Sequence, residues 1–378
     1  PSVASAIVKY HVTERTRQVV NDAMDILGGK GICLGPNNFM GRAYQQLPVA
    51  ITVEGANILT RSLIIFGQGA IRCHPYVLKE MAAARNADAA QGLRDFDRAF
   101  AGHLWLVWSR SWRAWSLGLT GSRFAGVPRA VAPEARRYYQ QLSCFSAAFA
   151  VLADVSMFVM GGDLKRKEKL SARLGDILSL LYLASATLKR YEAEGRQAAD
   201  APLLHWALCD ALLRTQHAFE GVIANYPNRF IAALLQVCIF PLGRPCQLPS
   251  DRLGHEVARL LIEPSATRDR LTAGMYQPRD EHDAVGVVEL ALEATIAAEP
   301  IEARIRAAVK DGRVGAGDTA TMAGHAREAG VITAAEHALL QRRELLRDRA
   351  IAVDDFPQDF AHEQATLPPA TETLRKVA

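Results

Sequence analysis

The sequence has 378 residues, of which 49% are hydrophobic and 22% charged, the balance of an ordinary soluble globular protein. A formal charge of +4 is small for this length and gives no reason to propose a nucleic-acid partner. The 6 cysteines are scattered with no CxxC pair or signal-peptide pattern, and no His/Cys cluster has metal-ligand spacing. The expectation is a cytoplasmic protein with free thiols, no disulfide framework and no metal.

The chain begins at Pro1 and enters a helical pattern directly, so it reads as a fragment whose start lies upstream. Residues 12–27 predict an amphipathic helix with Val12, Val19, Ala23, Ile26 and Leu27 on one side. Gly28 and Gly29 end it, either as a plain C-cap or as bare backbone that a cofactor can approach closely. No βαβ pattern surrounds these glycines, so no complete dinucleotide domain is expected. Residues 33–41 form a loop marked by Gly35, Pro36, Asn37 and Asn38, and a short helix over 39–47 leads to Pro48. Between Leu47 and Leu59 the one charged residue is Glu54, followed by Gly55 and a helical pattern in Ile58, Leu59, Leu63, Ile64 and Ile65. Asn57 and Thr60 place polar side chains near its start. Two readings of Glu54 stay open. It is a helix-start acid favoured by the dipole. Or, if apolar walls surround it, desolvation lifts its pKa toward that of a general base. His74 reads as a helix-end histidine.

Residues 75–93 are a candidate boundary. A helix over 96–119 carries Trp105, Trp108, Trp112 and Trp115 on one face, read first as core packing, with an acyl-chain or membrane contact as the alternative. Pro133 opens the next helix. The apolar run 144–160 approaches the length of a short membrane span, but Asp154 inside it favours a buried bundle helix and then requires a polar partner. Asp163 is expected to cap a helix over 164–194, whose opening cations Lys165, Arg166, Lys167, Lys169 and Arg173 oppose the dipole and hint at an anionic partner. Further helices are expected at 202–224 and 229–240, then short ones with turns at Pro264, Gly274, Pro278 and Gly286. Two or three more fill 300–350. Asp354, Asp355 and the Pro368–Pro369 pair mark a solvated tail.

The stretch Val53-Glu-Gly-Ala-Asn57 resembles the Glu-Gly-Thr-Asn stretch near the C-terminus of acyl-CoA dehydrogenases, and Asp25-Ile-Leu-Gly-Gly-Lys-Gly31 resembles the Gln-x-Leu-Gly-Gly-x-Gly stretch that precedes it. Over residues 5–356 the chain is similar to the long bacterial enzymes of fatty acid β-oxidation, whose C-terminal region is extended. Two departures accompany the match: Asp25 replaces the family's Gln, and Ala56 its Thr.

The resemblance implies an all-α fold in which residues 1–75 complete an acyl-CoA dehydrogenase helical domain, residues 76–350 form the bacterial helical extension, and 351–378 are a loose tail. It implies Glu54 as catalytic base and, with Gly55, as substrate contact. Gly28, Gly29, Asn57 and Thr60 are implied to bind FAD, the glycines touching that of a neighbouring subunit. The reaction implied is conversion of a fatty acyl-CoA to the trans-2-enoyl-CoA. An electron-transfer flavoprotein or similar acceptor, a homo-oligomeric full-length enzyme and a peripheral contact with the inner membrane come with it. The isolated chain is expected not to hold FAD stoichiometrically. A non-catalytic helical docking or membrane-association module is the alternative.

Overall fold

The structure, a computed structural model, describes residues 2–356, and every regular element among them is a helix. The fold is all-α, as expected. The chain divides into two compact units, residues 1–16 with 48–274 and residues 17–47 with 275–378. The first helix, α1 (Ser2–Leu27), and the second, α2 (Gly41–Thr52), each contribute to both.

In the first unit, α3 (Asn57–Cys73) is followed by α4 (Val77–Ala83), α5 (Ala89–Leu119), α6 (Pro133–Met160) and α7 (Glu168–Ala193). Then come α8 (Ala201–Ala224), α9 (Arg229–Ile239), α10 (Asp251–Ile262) and α11 (Ala266–Thr272). The core lies where α6, α7 and α8 meet: Leu152, Leu174, Ile177, Leu188, Leu208 and Phe219 have no exposed surface. Phe145 and Phe219 stack at 5.7 Å, and Phe240 meets Phe219 edge-on at 6.1 Å. The middle of α3, Thr60–Gln68, is a π-helix, against which α7 packs through Gly175. A Cβ at Gly175 would lie 2.9 Å from the Arg61 carbonyl oxygen, so only glycine lets the two backbones come this close.

The second unit is built on α12 (Gly286–Lys310), α13 (Thr319–Glu328) and α14 (Ala334–Ile351), around Ala298, Ile301, Ile305, Ala308, Ala326 and Leu340. The capping box of Thr333 and Glu336 fixes the start of α14. The loop after α1 belongs to this unit. Buried Asn38 ties it, donating to the Gly31 and Cys33 carbonyls and accepting from the Met40 and Gly41 N–H groups.

Several expectations are corrected. The stripe of Val12, Val19 and Ile26 on α1 faces solvent, Ile26 being 85% exposed, while Ile7 and Val20 are the buried positions. Periodicity finds an apolar face but not the element that covers it. The helix expected at 39–47 runs from Gly41 through Pro48 to Thr52. Pro300 likewise sits inside α12, and Gly286 opens that helix instead of marking a turn. Asp163 does not cap α7: residues Gly161–Lys165 form a 3₁₀ turn, the N-cap is Lys167 and the first turn holds Glu168. Lys165, Arg166 and Lys167 therefore precede or cap the helix, and Glu168 in its first turn is the one acid placed favourably to the dipole there. The four tryptophans of α5 are not core residues: Trp105, Trp108 and Trp112 are 65%, 61% and 59% exposed. Asp354, placed in a solvated tail, is buried and accepts a hydrogen bond from the Asn37 N–H at 2.9 Å. The Pro368–Pro369 pair lies outside the described residues.

Candidate active site

Helix α2 ends at Thr52 and α3 starts at Asn57, and the turn between them reverses through two consecutive left-handed residues. Gly55 has φ +93°, which glycine adopts freely, but Glu54 has φ +55°, a conformation costly for any residue with a Cβ. The Glu54 side chain is exposed, so the apolar walls considered above are not supplied by the described residues. Its own N–H and that of Gly55 make no backbone hydrogen bond among the described residues. A carboxylate and free N–H donors thus share one short turn.

What holds that turn comes mostly from α1. The Lys9 ammonium donates to the Gly55 carbonyl at 2.9 Å and to Asn57 Oδ1 at 2.6 Å. Asn57 Nδ2 donates to Thr13 Oγ1 and to Glu14 Oε1, both at 2.8 Å. Buried Thr60 donates to the Gly55 carbonyl at 3.3 Å. Both donors of Asn57 and the hydroxyl proton of Thr60 are therefore engaged within the protein, where they fix the Glu54 backbone. Lys9 and Thr13 are one helical turn apart, which is the only trace of this arrangement in the sequence; nothing there names Asn57 as their partner. Behind the turn, Arg61 Nε and Nη2 hold the Asp176 carboxylate at 2.7 and 2.5 Å, joining α3 to α7.

Glu54, Gly55, Asn57 and Thr60 belong to the first unit, and Gly28 and Gly29 to the second. Gly28 has φ +54° and opens the single turn Gly29–Ile32. A Cβ at Gly28 or Gly29 would meet nothing within 4 Å, so this backbone faces open space. Lys30, beside it, is buried and donates to the Ala350 carbonyl at 2.6 Å. Burial holds its ammonium below the usual lysine range, with Asp354 opposing that shift.

A second polar cluster lies at the far end of α3, and sequence reasoning missed it because its members are far apart in the chain. His74 Nε2 is 3.0 Å from Asp154 Oδ1, His103 Nε2 is 3.9 Å from the same oxygen, and His103 Nδ1 is 2.8 Å from Glu80 Oε1. Asp154 thereby has a polar neighbour at Oδ1, while its Oδ2 is buried without a hydrogen-bond partner among the described residues. The cluster borders a cleft of about 310 Å³ lined by Phe66, Cys73, Phe149 and Met157 among others. Burial depresses the His74 pKa and raises that of Asp154, with each ring and carboxylate pulling the other back. Three of these side chains offer ligand atoms within 4.8 Å of one another. However, His74 Nδ1 accepts from the Tyr76 and Val77 N–H groups at 3.2 and 3.1 Å. The neutral ring then carries its proton on Nε2, facing Asp154 as a donor and not as a metal ligand. His74 does end its helix, but its main work is to tie α3 to α4 and α6.

The family described as acyl-CoA dehydrogenase, C-terminal, bacterial type, matches residues 71–356, and the acyl-CoA dehydrogenase C-terminal domain matches residues 1–66. No solved structure matches the chain.

Proposed function

The chain belongs to the bacterial-type family of acyl-CoA dehydrogenase C-terminal regions, and on that premise we propose that it serves α,β-dehydrogenation of fatty acyl-CoA in fatty acid β-oxidation, with Glu54 as the base. The observation that carries this reading is the strained backbone at Glu54. A left-handed glutamate is disfavoured by about 1–2 kcal/mol, and such outliers persist where the surroundings enforce them. Here Lys9, Thr13, Glu14, Asn57 and Thr60 do so.

The chemistry needs a carboxylate to take the α proton while a hydride leaves the β carbon and the double bond forms between them. An unassisted α proton is far too weak an acid, so the thioester oxygen needs donors aimed at the developing negative charge. We take the Glu54 N–H, which has no backbone partner among the described residues, as one of them. The same residue then supplies both base and donor, and Gly55 lets the thioester approach closely because it has no side chain. The Glu54 carboxylate is exposed, and it makes no hydrogen bond to the N–H groups of α3 among the described residues.

FAD, which the family implies, fits the open backbone at Gly28 and Gly29; when bound it accepts the hydride, and an electron-transfer flavoprotein or similar acceptor reoxidises it. The acid at Asp25 suits a pyrophosphate poorly, so contact there falls to the glycines. The test is Glu54→Gln in the FAD-loaded full-length parent, mixed anaerobically with acyl-CoA. Acyl-CoA binding is expected to survive and flavin bleaching to be lost; bleaching at the parent rate excludes Glu54 as the base.

A further inference from the structure

We propose that the cleft between α3, α5 and α6 is a binding site for a straight-chain aliphatic carboxylate with a hydroxyl at its far end, the carboxylate on Arg110 and the hydroxyl on Asp154. The cleft holds about 310 Å³, within the range of small-ligand sites. It opens because Ala70 of α3 and Ala150 and Ala153 of α6 are small, while Phe66, Phe149 and Leu106 wall it. Phe66 and Phe149 meet edge-on at 6.1 Å. All of these residues belong to the first unit. They make an apolar middle with a polar group at each end.

The two ends select the ligand. At one lies Asp154, 5% exposed, whose Oδ2 has no hydrogen-bond partner among the described residues. A buried acceptor left without a donor is costly, so this end favours a ligand that brings one. At the other end lie Arg110, half-buried and without an ion pair among the described residues, and Ser146, whose side chain is exposed. A guanidinium holds a carboxylate through two parallel hydrogen bonds. Ser146, Ala150 and Asp154 recur at every fourth position of α6, which sets the two ends about 12 Å apart along its axis. On α5, Arg110 lies two turns, about 10 Å, beyond His103, which is beside Asp154. Both helices give the cleft the same length.

The donor and the anion of the ligand are therefore separated by an apolar stretch of that length. Amino acids hold their two charges too close together to reach both ends. A plain fatty acid satisfies Arg110 but sets a methyl group against the Asp154 carboxylate. An alkylamine satisfies Asp154 but leaves the Arg110 guanidinium facing its tail. A metal ion does not fit, because His74 presents a donor to Asp154 and not a lone pair. The Glu54 turn lies at the opposite end of α3, so this site is separate from the one given to the thioester, and the inference does not rest on that reading. A ligand bound here would join α3, α5 and α6 at the one place where small side chains leave them apart.

The test is isothermal titration calorimetry of the chain with ω-hydroxyoctanoate, octanoate and octanol, for the parent and for R110Q, D154N and A150F. The parent is expected to bind ω-hydroxyoctanoate, and octanoate and octanol each about tenfold more weakly, since each lacks one hydrogen bond to a charged side chain. R110Q should remove the advantage of ω-hydroxyoctanoate over octanol, and D154N its advantage over octanoate. A150F places a ring in the cleft and should abolish binding of all three. Circular dichroism checks that each variant is folded, and the comparison of the three probes on the parent needs no variant. The proposal is overturned by a folded parent that gives no binding heat with ω-hydroxyoctanoate, which would leave the cleft to water alone. It is overturned equally by a parent that binds octanoate as tightly as ω-hydroxyoctanoate, or by a folded A150F protein that binds like the parent.

Discussion

Replacing Asn57 with alanine should unfasten the Glu54 turn, and the structure sets the size of the effect. Asn57 is 5% exposed and makes three side-chain hydrogen bonds, at 2.6 Å to Lys9, 2.8 Å to Thr13 and 2.8 Å to Glu14. A net hydrogen bond contributes about 0.5–1.5 kcal/mol, and one to a charged partner about 1.5–3. Two of the three partners are charged, so the gross loss is about 4–7 kcal/mol. Lys9 keeps its bond to the Gly55 carbonyl, and Lys9, Thr13 and Glu14 are only half-buried and regain water, which roughly halves the sum to about 2–4 kcal/mol. Urea unfolding of the parent and the Asn57→Ala variant, followed by circular dichroism, measures it. The dehydrogenation rate should fall along with stability, because the same bonds hold the Glu54 backbone in its left-handed state. A loss below about 0.5 kcal/mol would show that water replaces these bonds at no cost, and the reasoning for an enforced Glu54 conformation would collapse with it.

Four further outcomes are expected. Glu54→Gln should lower the rate by about 10²–10⁴-fold or more, with Glu54→Asp less damaged; Glu263→Gln, at an exposed position, is the neutral control, whereas Glu80 is unsuitable because it binds His103. Glu54→Gly should raise the unfolding free energy by about 0.5–1 kcal/mol and Glu54→Val should lower it by about 1–2; identical urea midpoints would contradict the strain. His11 has its pKa lowered from 6.5 to about 4 by burial, with Arg15 adding to the shift. Between those values the unfolded chain binds the extra proton and the folded one does not, so stability should fall as pH drops from 6.5 toward 4, and His11→Gln should flatten that part of the profile. Asp154→Ala leaves the His74 and His103 rings without their shared carboxylate in a buried cluster and should cost about 1–3 kcal/mol, the cost of a buried polar group left without its partner; a thermal midpoint equal to the parent's would count against a structural role for the cluster.

The helical class and the helix positions were legible because long apolar periodicities and glycine or proline breaks act within a single turn of chain. The extents failed where proline was read as a boundary. Pro48 and Pro300 lie inside helices that neighbouring contacts hold together. The tryptophans failed for a different reason: a face with period 3.6 looks the same whether protein or another phase covers it. At the candidate site, Glu54 and Gly55 stood out as one acid and one glycine in an uncharged run. Their supports did not, because Lys9, Thr13 and Glu14 are more than 40 residues from Asn57. The His74, His103 and Asp154 grouping was invisible on the same ground, being drawn from three helices or helix ends.

The π-helical middle of α3 makes residue number itself a structural variable. Between Asn57, which anchors the Glu54 turn, and His74, which meets Asp154, the chain runs through Thr60–Gln68 with wider turns than an α-helix has. Each residue of an α-helix advances the side chains by about 100°, and each residue of a π-turn by less. If the segment tightened to regular α-helix at constant length with one end still pinned by Asn57, the other end would over-rotate and His74 would turn away from Asp154. Removing one residue together with that tightening would bring the far end back close to phase, because fewer residues then each turn further. The segment works as a phase-setting spacer in which length and winding have to change together.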